Sequence, residues 1–208
     1  MLIEVAKLSK RFQREWIFRD LSISLAAGES YAVTGPNGSG KSTLLQVLSG
    51  IMPATSGKIS YSRNGKEIGP DKIYRYLSYA SPYLELVEEL TLREHIDFHF
   101  KFKEPADGID KESFAIQSWL EDSLDKQIRF FSSGMKQRLR LAFGFYSADP
   151  FLILDEPTSN LDSKGVEWYL TKVNEVRQRK LLLVGSNQPY EYEFCKNVIN
   201  LTDFKQRG

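Results

Sequence analysis

The chain has 208 residues, one cysteine and a formal net charge of +1 from 28 basic and 27 acidic side chains. This length suits one domain with its own core, and 41% hydrophobic with 26% charged residues excludes a disordered, collagen-like or coiled-coil chain. The balanced charge excludes nucleic acid held by bulk electrostatics, and the single Cys195 excludes an internal disulfide and fits a reducing compartment.

No apolar run approaches the ~20 residues that cross a bilayer. The opening MLIEVAKLSK alternates apolar and polar residues and includes Glu4, unlike a secretory leader. A cytoplasmic chain is expected. Alternation over 2–8 and 21–25 predicts strands. Residues 30–33 read as a short buried strand. A glycine-rich turn follows, then a helix over 41–49 ended by Gly50 and Pro53. Residues 58–62 and 66–68 flank Asn64-Gly65 and predict a hairpin. Residues 76–79 are a further strand. Residues 91–131 have helical spacing broken at 104–108 and read as a helical insertion, followed by a helix over 136–147. The all-apolar runs 151–154 and 181–184 suit strands buried on both faces of a parallel sheet, with 166–177 as the crossover helix between them. The pattern is α/β: one domain over 1–208, with a helical subdomain at about 91–148 inserted in a mostly parallel core.

Residues Gly35-Pro36-Asn37-Gly38-Ser39-Gly40-Lys41-Ser42, followed by Thr43, fit the pattern Gly, four residues, Gly-Lys-Ser/Thr, between a buried strand and a helix. Glycines let backbone N–H groups turn inward around phosphate oxygens, and the helix N-terminus adds free N–H groups and a positive dipole end. Lys41 is expected to bridge β- and γ-phosphates and the Ser42 hydroxyl to ligand Mg²⁺. The run 151–154 ends in Asp155-Glu156, which a strand would deliver to the ligand-binding edge of the sheet. Asp155 is suited to hold Mg²⁺, directly or through water, and Glu156 to polarise an attacking water.

These strings resemble the ATP-binding cassette family of P-loop NTPases. Phe131-Ser132-Ser133-Gly134-Met135 is similar to the family signature Leu-Ser-Gly-Gly-Gln. Residues 151–162 match its Walker B and D-loop strings, the latter in Ser159-Asn160-Leu161-Asp162. The resemblance implies a core sheet with an added antiparallel β subdomain, ATP and Mg²⁺ as ligands, and a head-to-tail pair of domains, a homodimer here. Ser132 and the Gly134 amide would contact the γ-phosphate bound by the other copy. Phe12 resembles the aromatic that stacks on adenine, with Trp16 as its rival. Two positions depart from the family. Pro82, with Ser81 beside it, falls where a loop glutamine is expected, and Asn187 replaces the switch histidine. Asparagine can donate to a γ-phosphate but carries no proton. Ser133 and Met135 replace signature Gly and Gln.

The resemblance implies an ATP-hydrolysing subunit of a transporter, possessing slow turnover, peripheral on the cytoplasmic face of the cell membrane. It would drive a separate transmembrane permease subunit docked at the helical insertion. Short length and residues 92–102 resemble the haem-exporter cassettes of cytochrome c maturation. A regulatory subunit with weak hydrolysis and a non-transport cassette ATPase are the alternatives. His95 and His99, four apart, have metal-ligand spacing but read as helix-surface or packing residues, and Phe98, Phe100 and Phe102 read as subdomain core, with a partner-facing surface as the alternative. Cys195 reads as a buried thiol, and the charges at 172–180 as a solvated helix face.

Overall fold

The computed structural model describes residues 1–205. Alternating side chains pair β1 (Leu2–Phe12) with β2 (Glu15–Ala26) as an antiparallel hairpin, Ile3 opposite Leu25 and Phe12 opposite Glu15. The buried β3 (Ser30–Thr34) runs through the glycine-rich turn into α1 (Lys41–Leu48). β4 (Ser56–Arg63) and β5 (Lys66–Ile68) flank Asn64 and Gly65, whose φ values of 52° and 74° are those a two-residue hairpin turn demands. These outer strands form an antiparallel sheet in the order β2-β1-β4-β5.

The remaining strands are β6 (Leu77–Ala80), β7 (Phe151–Asp155), β8 (Leu181–Gly185) and β9 (Asn197–Asn200). With β3 they make a parallel five-stranded sheet, β6-β7-β8-β3-β9. Every residue of β7 and β8 is buried, as expected for strands covered on both faces. The period of two divides their side chains. Phe151, Ile153, Leu181 and Leu183 pack with α1 and the antiparallel sheet, whereas Leu152, Leu154, Leu182 and Val184 pack with the helices of the opposite face.

Those helices are α2 (Leu92–His99), α3 (Lys111–Gln117), α4 (Ser133–Tyr146) and α5 (Ser163–Val176). Thr91 with Glu94, and Asp110 with Ser113, form capping boxes that start α2 and α3. Phe114 is fully buried and packs against Phe143 of α4, which fastens the insertion to the core. Burial pushes Lys180 down to about 8, and its ammonium donates to the carbonyls of Gly144 in the last turn of α4 and of Ser147 and Asp149 just beyond it. Among the described residues no helix is long and apolar enough to cross a membrane.

The structure differs from expectation in detail. α4 begins at Ser133 rather than 136, because the Ser132 side chain caps it by accepting from the Met135 N–H at 3.2 Å. α5 likewise begins at Ser163, capped by Asp162. β9 was not expected, since Asn-Val-Ile-Asn has too few apolar residues to stand out; parallel pairing with β3 makes it a strand.

Candidate functional site

Three positive φ angles shape the turn between β3 and α1: 145° at Gly35, 75° at Gly38 and 102° at Gly40. Gly40 is the N-cap of α1 in the left-handed region, and a Cβ there would lie 2.1 Å from Cγ2 of Ile17. Only glycine satisfies both constraints. Lys41 is buried and its ammonium donates to the carbonyls of Gly35 at 2.9 Å and Pro36 at 3.3 Å. Ile17, Asn37, Gly38, Gly40, Lys41, Ser42, Thr43, Tyr83 and Glu156 line a groove of about 460 Å³. A second groove of about 230 Å³ shares Asn37 and Glu156, and adds Thr158, Ser159, Asn187 and Glu191 among its walls. The phosphate-loop residues, the second carboxylate and the switch position thus meet along the edge where β3, β7 and β8 end.

Asp155 closes β7 with 1% of its surface exposed. Burial raises its pKa, while the hydroxyls of Ser42 and Tyr79 draw it back. Its Oδ2 accepts from the Tyr79 hydroxyl at 3.1 Å. Its Oδ1 is buried without a hydrogen-bond partner, an arrangement that costs free energy unless a cation or donor meets it. Glu156 has φ 47°, a strained backbone for a side chain of its size. Its N–H donates to the Gly185 carbonyl at 2.9 Å, which fixes the turn against β8. The Glu156 carboxylate accepts from the Tyr83 hydroxyl at 3.1 Å, and that carboxylate in turn raises the Tyr83 phenol pKa.

Sequence reasoning missed Tyr79 and Tyr83. It placed Pro82 and Ser81 where a polar side chain was expected. Ser81 instead turns inward, buried, and accepts from the Tyr83 N–H at 3.3 Å. Tyr83, one residue past Pro82, carries the hydroxyl into the groove. Two tyrosines four apart around that position were the available signal.

Asn187 donates through its amide to Oδ1 of Asn37 at 3.0 Å, tying the loop after β8 to the phosphate loop. Beneath it lies Glu191, only 2% exposed. Its carboxylate accepts from the Thr158 N–H at 2.8 Å and from the hydroxyls of Thr158 and Ser186. The Gln188 N–H donates to Ser186 Oγ at 2.9 Å. Glu191 therefore joins the segment after β7 to both neighbours of Asn187. It too was missed, because a lone glutamate four residues past a switch position has no pattern of its own.

Ser132 and Gly134 lie at the start of α4. A Cβ on Gly134 would meet the Asn160 carbonyl at 3.1 Å, and Asn160 itself has φ 66°. Neither residue lines the two grooves. Gln137 of α4 donates to the Pro157 carbonyl at 2.9 Å. Phe12 does not line the groove either. It sits at the hairpin tip, 46% exposed, with the Lys10 ammonium 5.0 Å from its ring centroid. Trp16 has the guanidinium groups of Arg11 and Arg19 at 5.4 Å and 4.7 Å from its ring centroid. Ile17 is the residue of this hairpin that faces the loop.

His99 stacks on Phe143 at 4.1 Å and shares a hydrogen bond with Ser147, while burial holds it down at about 4. His95 stacks on the same ring at 5.3 Å. Phe100 joins this cluster, but Phe98 and Phe102 are exposed. Cys195 is buried and its thiol is pushed up to about 12.

The family model described as ABC transporter matches residues 18–159. Cytochrome c biogenesis ATP-binding export protein CcmA of Rhizobium meliloti (strain 1021) is 34% identical over 92% of this chain and 93% of its own. Lantibiotic transport ATP-binding protein SrtF of Streptococcus pyogenes is 29% identical, covering 98% and 85% respectively. A solved structure titled as the ATP binding subunit of an ABC transporter superposes with a TM-score of 0.82 at 27% identity, over 96% of this chain and 85% of that one. A dimeric bacterial ABC transporter cassette superposes at 0.80 with 20% identity, over 95% and 93%, a likeness of fold. A matching family model over most of the chain and a relative above 30% identity along nearly its whole length agree with the grooves described above: the chain belongs to the ABC transporter family.

Proposed function

We propose that this chain is the ATP-hydrolysing subunit of a transporter, working as a homodimer against a separate transmembrane permease subunit on the cytoplasmic face of the membrane. The observation that carries this reading is the convergence of Lys41, Ser42 and Glu156 on one groove beneath a glycine-built loop, with Asp155 buried against Ser42 and Lys41 behind it. Residues 35–43 would wrap the triphosphate with backbone N–H groups. Lys41 would leave its carbonyl partners for β- and γ-oxygens. Ser42 and Asp155 would hold Mg²⁺, and the unpartnered Oδ1 of Asp155 beside the Ser42 hydroxyl fits a hard cation. Bound there, the cation would neutralise charge on the phosphate oxygens. Glu156 would accept the proton of the attacking water. Asn187 would donate its amide to the γ-phosphate.

Ser132 and Gly134 open α4 away from their own grooves, which suits contact with the nucleotide of a second copy. The names of the relatives, an export protein and a lantibiotic transport protein, favour a transport partner over nucleic acid. Residues 91–148 would form the helical subdomain that meets the permease. An adenine platform at Phe12 would require the exposed hairpin tip to fold toward Ile17. A second reading, a regulatory subunit with weak hydrolysis, is favoured by the Asn187–Asn37 amide pair, which contains no titratable group.

ATP turnover by the purified chain tests the proposal. Turnover should require Mg²⁺ and cease with EDTA. Glu156→Gln and Lys41→Ala should each lower it at least about 100-fold. Wild-type turnover equal to that of Glu156→Gln, with ATP still bound, would favour the regulatory reading.

A further inference from the structure

The loop after β6 reaches Glu156, the carboxylate just past β7, through one side chain. Tyr83 is 73% exposed, and an exposed tyrosine on a free loop would sample several rotamers. This loop is not free. The Arg140 guanidinium of α4 donates to the Leu84 carbonyl at 2.7 Å. Lys136 of α4 pairs with Glu88. The Leu84 N–H donates to the Ser81 carbonyl at 3.2 Å, and Ser81 is buried. The turn is thus fastened to the core behind Tyr83 and to α4 ahead of it. The phenol is delivered to Oε2 of Glu156 at 3.1 Å, the one hydrogen bond that carboxylate makes among the described residues.

We propose that Tyr83 is the positioning residue of Glu156: its hydroxyl holds one carboxylate oxygen and leaves the other to the water that attacks the nucleotide. The inference rests on the reading of Glu156 as the base. A carboxylate on a strained backbone, with φ 47° and one hydrogen bond, has few other constraints on its side chain. Tyr79 does the equivalent for the preceding carboxylate, donating to Asp155 Oδ2 from four residues earlier. The two hydroxyls together fix consecutive acids of one strand end. Proline at 82 and a buried serine at 81 do not leave this loop without a polar contact to the site; the contact is moved one residue on, to a longer side chain.

Two measurements test this in the full chain. In steady-state ATP hydrolysis, Tyr83→Phe should lower kcat about tenfold, the loss expected for one positioning hydrogen bond, with KM for ATP within about twofold. In a chain labelled with 3-fluorotyrosine, the ¹⁹F resonance that Tyr83→Phe deletes should move when Glu156→Ala removes its acceptor. Wild-type kcat in Tyr83→Phe, or a resonance indifferent to Glu156→Ala, would overturn the proposal. Full turnover in Glu156→Gln would instead overturn the reading of Glu156 as base, and with it the positioning role, while the ¹⁹F shift would still report the contact itself. Because Tyr83 is largely exposed, neither outcome is confounded by loss of folding.

Discussion

The phosphate-loop wall of the groove is made of backbone, whereas the wall formed by the loops after β6 and β8 is made of side chains. On the first, glycines at 35, 38 and 40 take positive φ angles that other residues rarely adopt, and Ile17 packs too close to Gly40 for any Cβ. On the second, Tyr83 reaches Glu156, Asn187 reaches Asn37 and Glu191 gathers Thr158 and Ser186. A wall of backbone tolerates almost no change of residue. A wall of side chains can exchange one donor for another, provided a donor still arrives. This explains how the chain departs from the family at positions 82 and 187 while its phosphate loop fits the family pattern throughout.

The sharpest test of this contrast is Gly40→Ala. It combines a left-handed backbone with a 2.1 Å clash against Ile17, so ATP turnover should fall at least about 100-fold, measured with the same assay as the wild type. Adding Ile17→Ala removes the clash but not the strained φ, and should recover only part of the loss. Full recovery would mean that packing rather than backbone conformation dictates this wall.

Glu191→Ala comes next. It strands the Thr158 N–H and the Ser186 hydroxyl in a buried place, and should cost about 2–3 kcal/mol of unfolding free energy in a urea titration. The same change should slow turnover, because both neighbours of Asn187 lose their anchor. Glu191→Gln keeps acceptor capacity and should cost less. Equal losses would show that shape, not hydrogen bonding, holds this wall.

Asn187→His should raise turnover severalfold and introduce a pH dependence near 6.5, the ordinary imidazole value. Histidine brings a proton that asparagine lacks. A flat response would mean that the Asn37 tie, not the missing proton, limits the switch position.

The contrast also decides what the sequence made legible. The turn at 35–42, the apolar runs of β7 and β8 and the acids that follow are local: each element is written in consecutive residues, and the periods of two and 3.6 do the rest. Tyr83, Tyr79 and Glu191 meet partners tens of residues away in sequence, so the spacing of the two tyrosines does not by itself name Asp155 and Glu156 as what they touch, and a lone glutamate has no pattern of its own. Phe12 is the opposite case: the family resemblance singles it out, whereas the hairpin places its ring beside Lys10 and gives Ile17 to the groove. Strand β9 was illegible for a third reason, because its pairing with β3 supplies what its own four residues lack.

Ser132 lines neither wall of its own groove, yet a structural and a proposed functional role meet in its one hydroxyl, and its smallest change is therefore the most informative. Its hydroxyl caps α4 by accepting from Met135 at 3.2 Å, and the proposed dimer asks the same hydroxyl to meet a γ-phosphate. Ser132→Ala should cost about 1 kcal/mol of stability, read from the urea midpoint, and should also slow turnover, so it does not separate the two roles. Ser132→Asp does. Aspartate caps a helix as well as serine, and its charge favours the helix N-terminus, so stability should be unchanged. The same charge would face phosphate oxygens across the dimer, so turnover and ATP-dependent dimerisation should fall below those of Ser132→Ala. If Ser132→Asp instead hydrolyses ATP as the wild type does, Ser132 is a helix cap and nothing more, and the second copy does not read α4 through this residue.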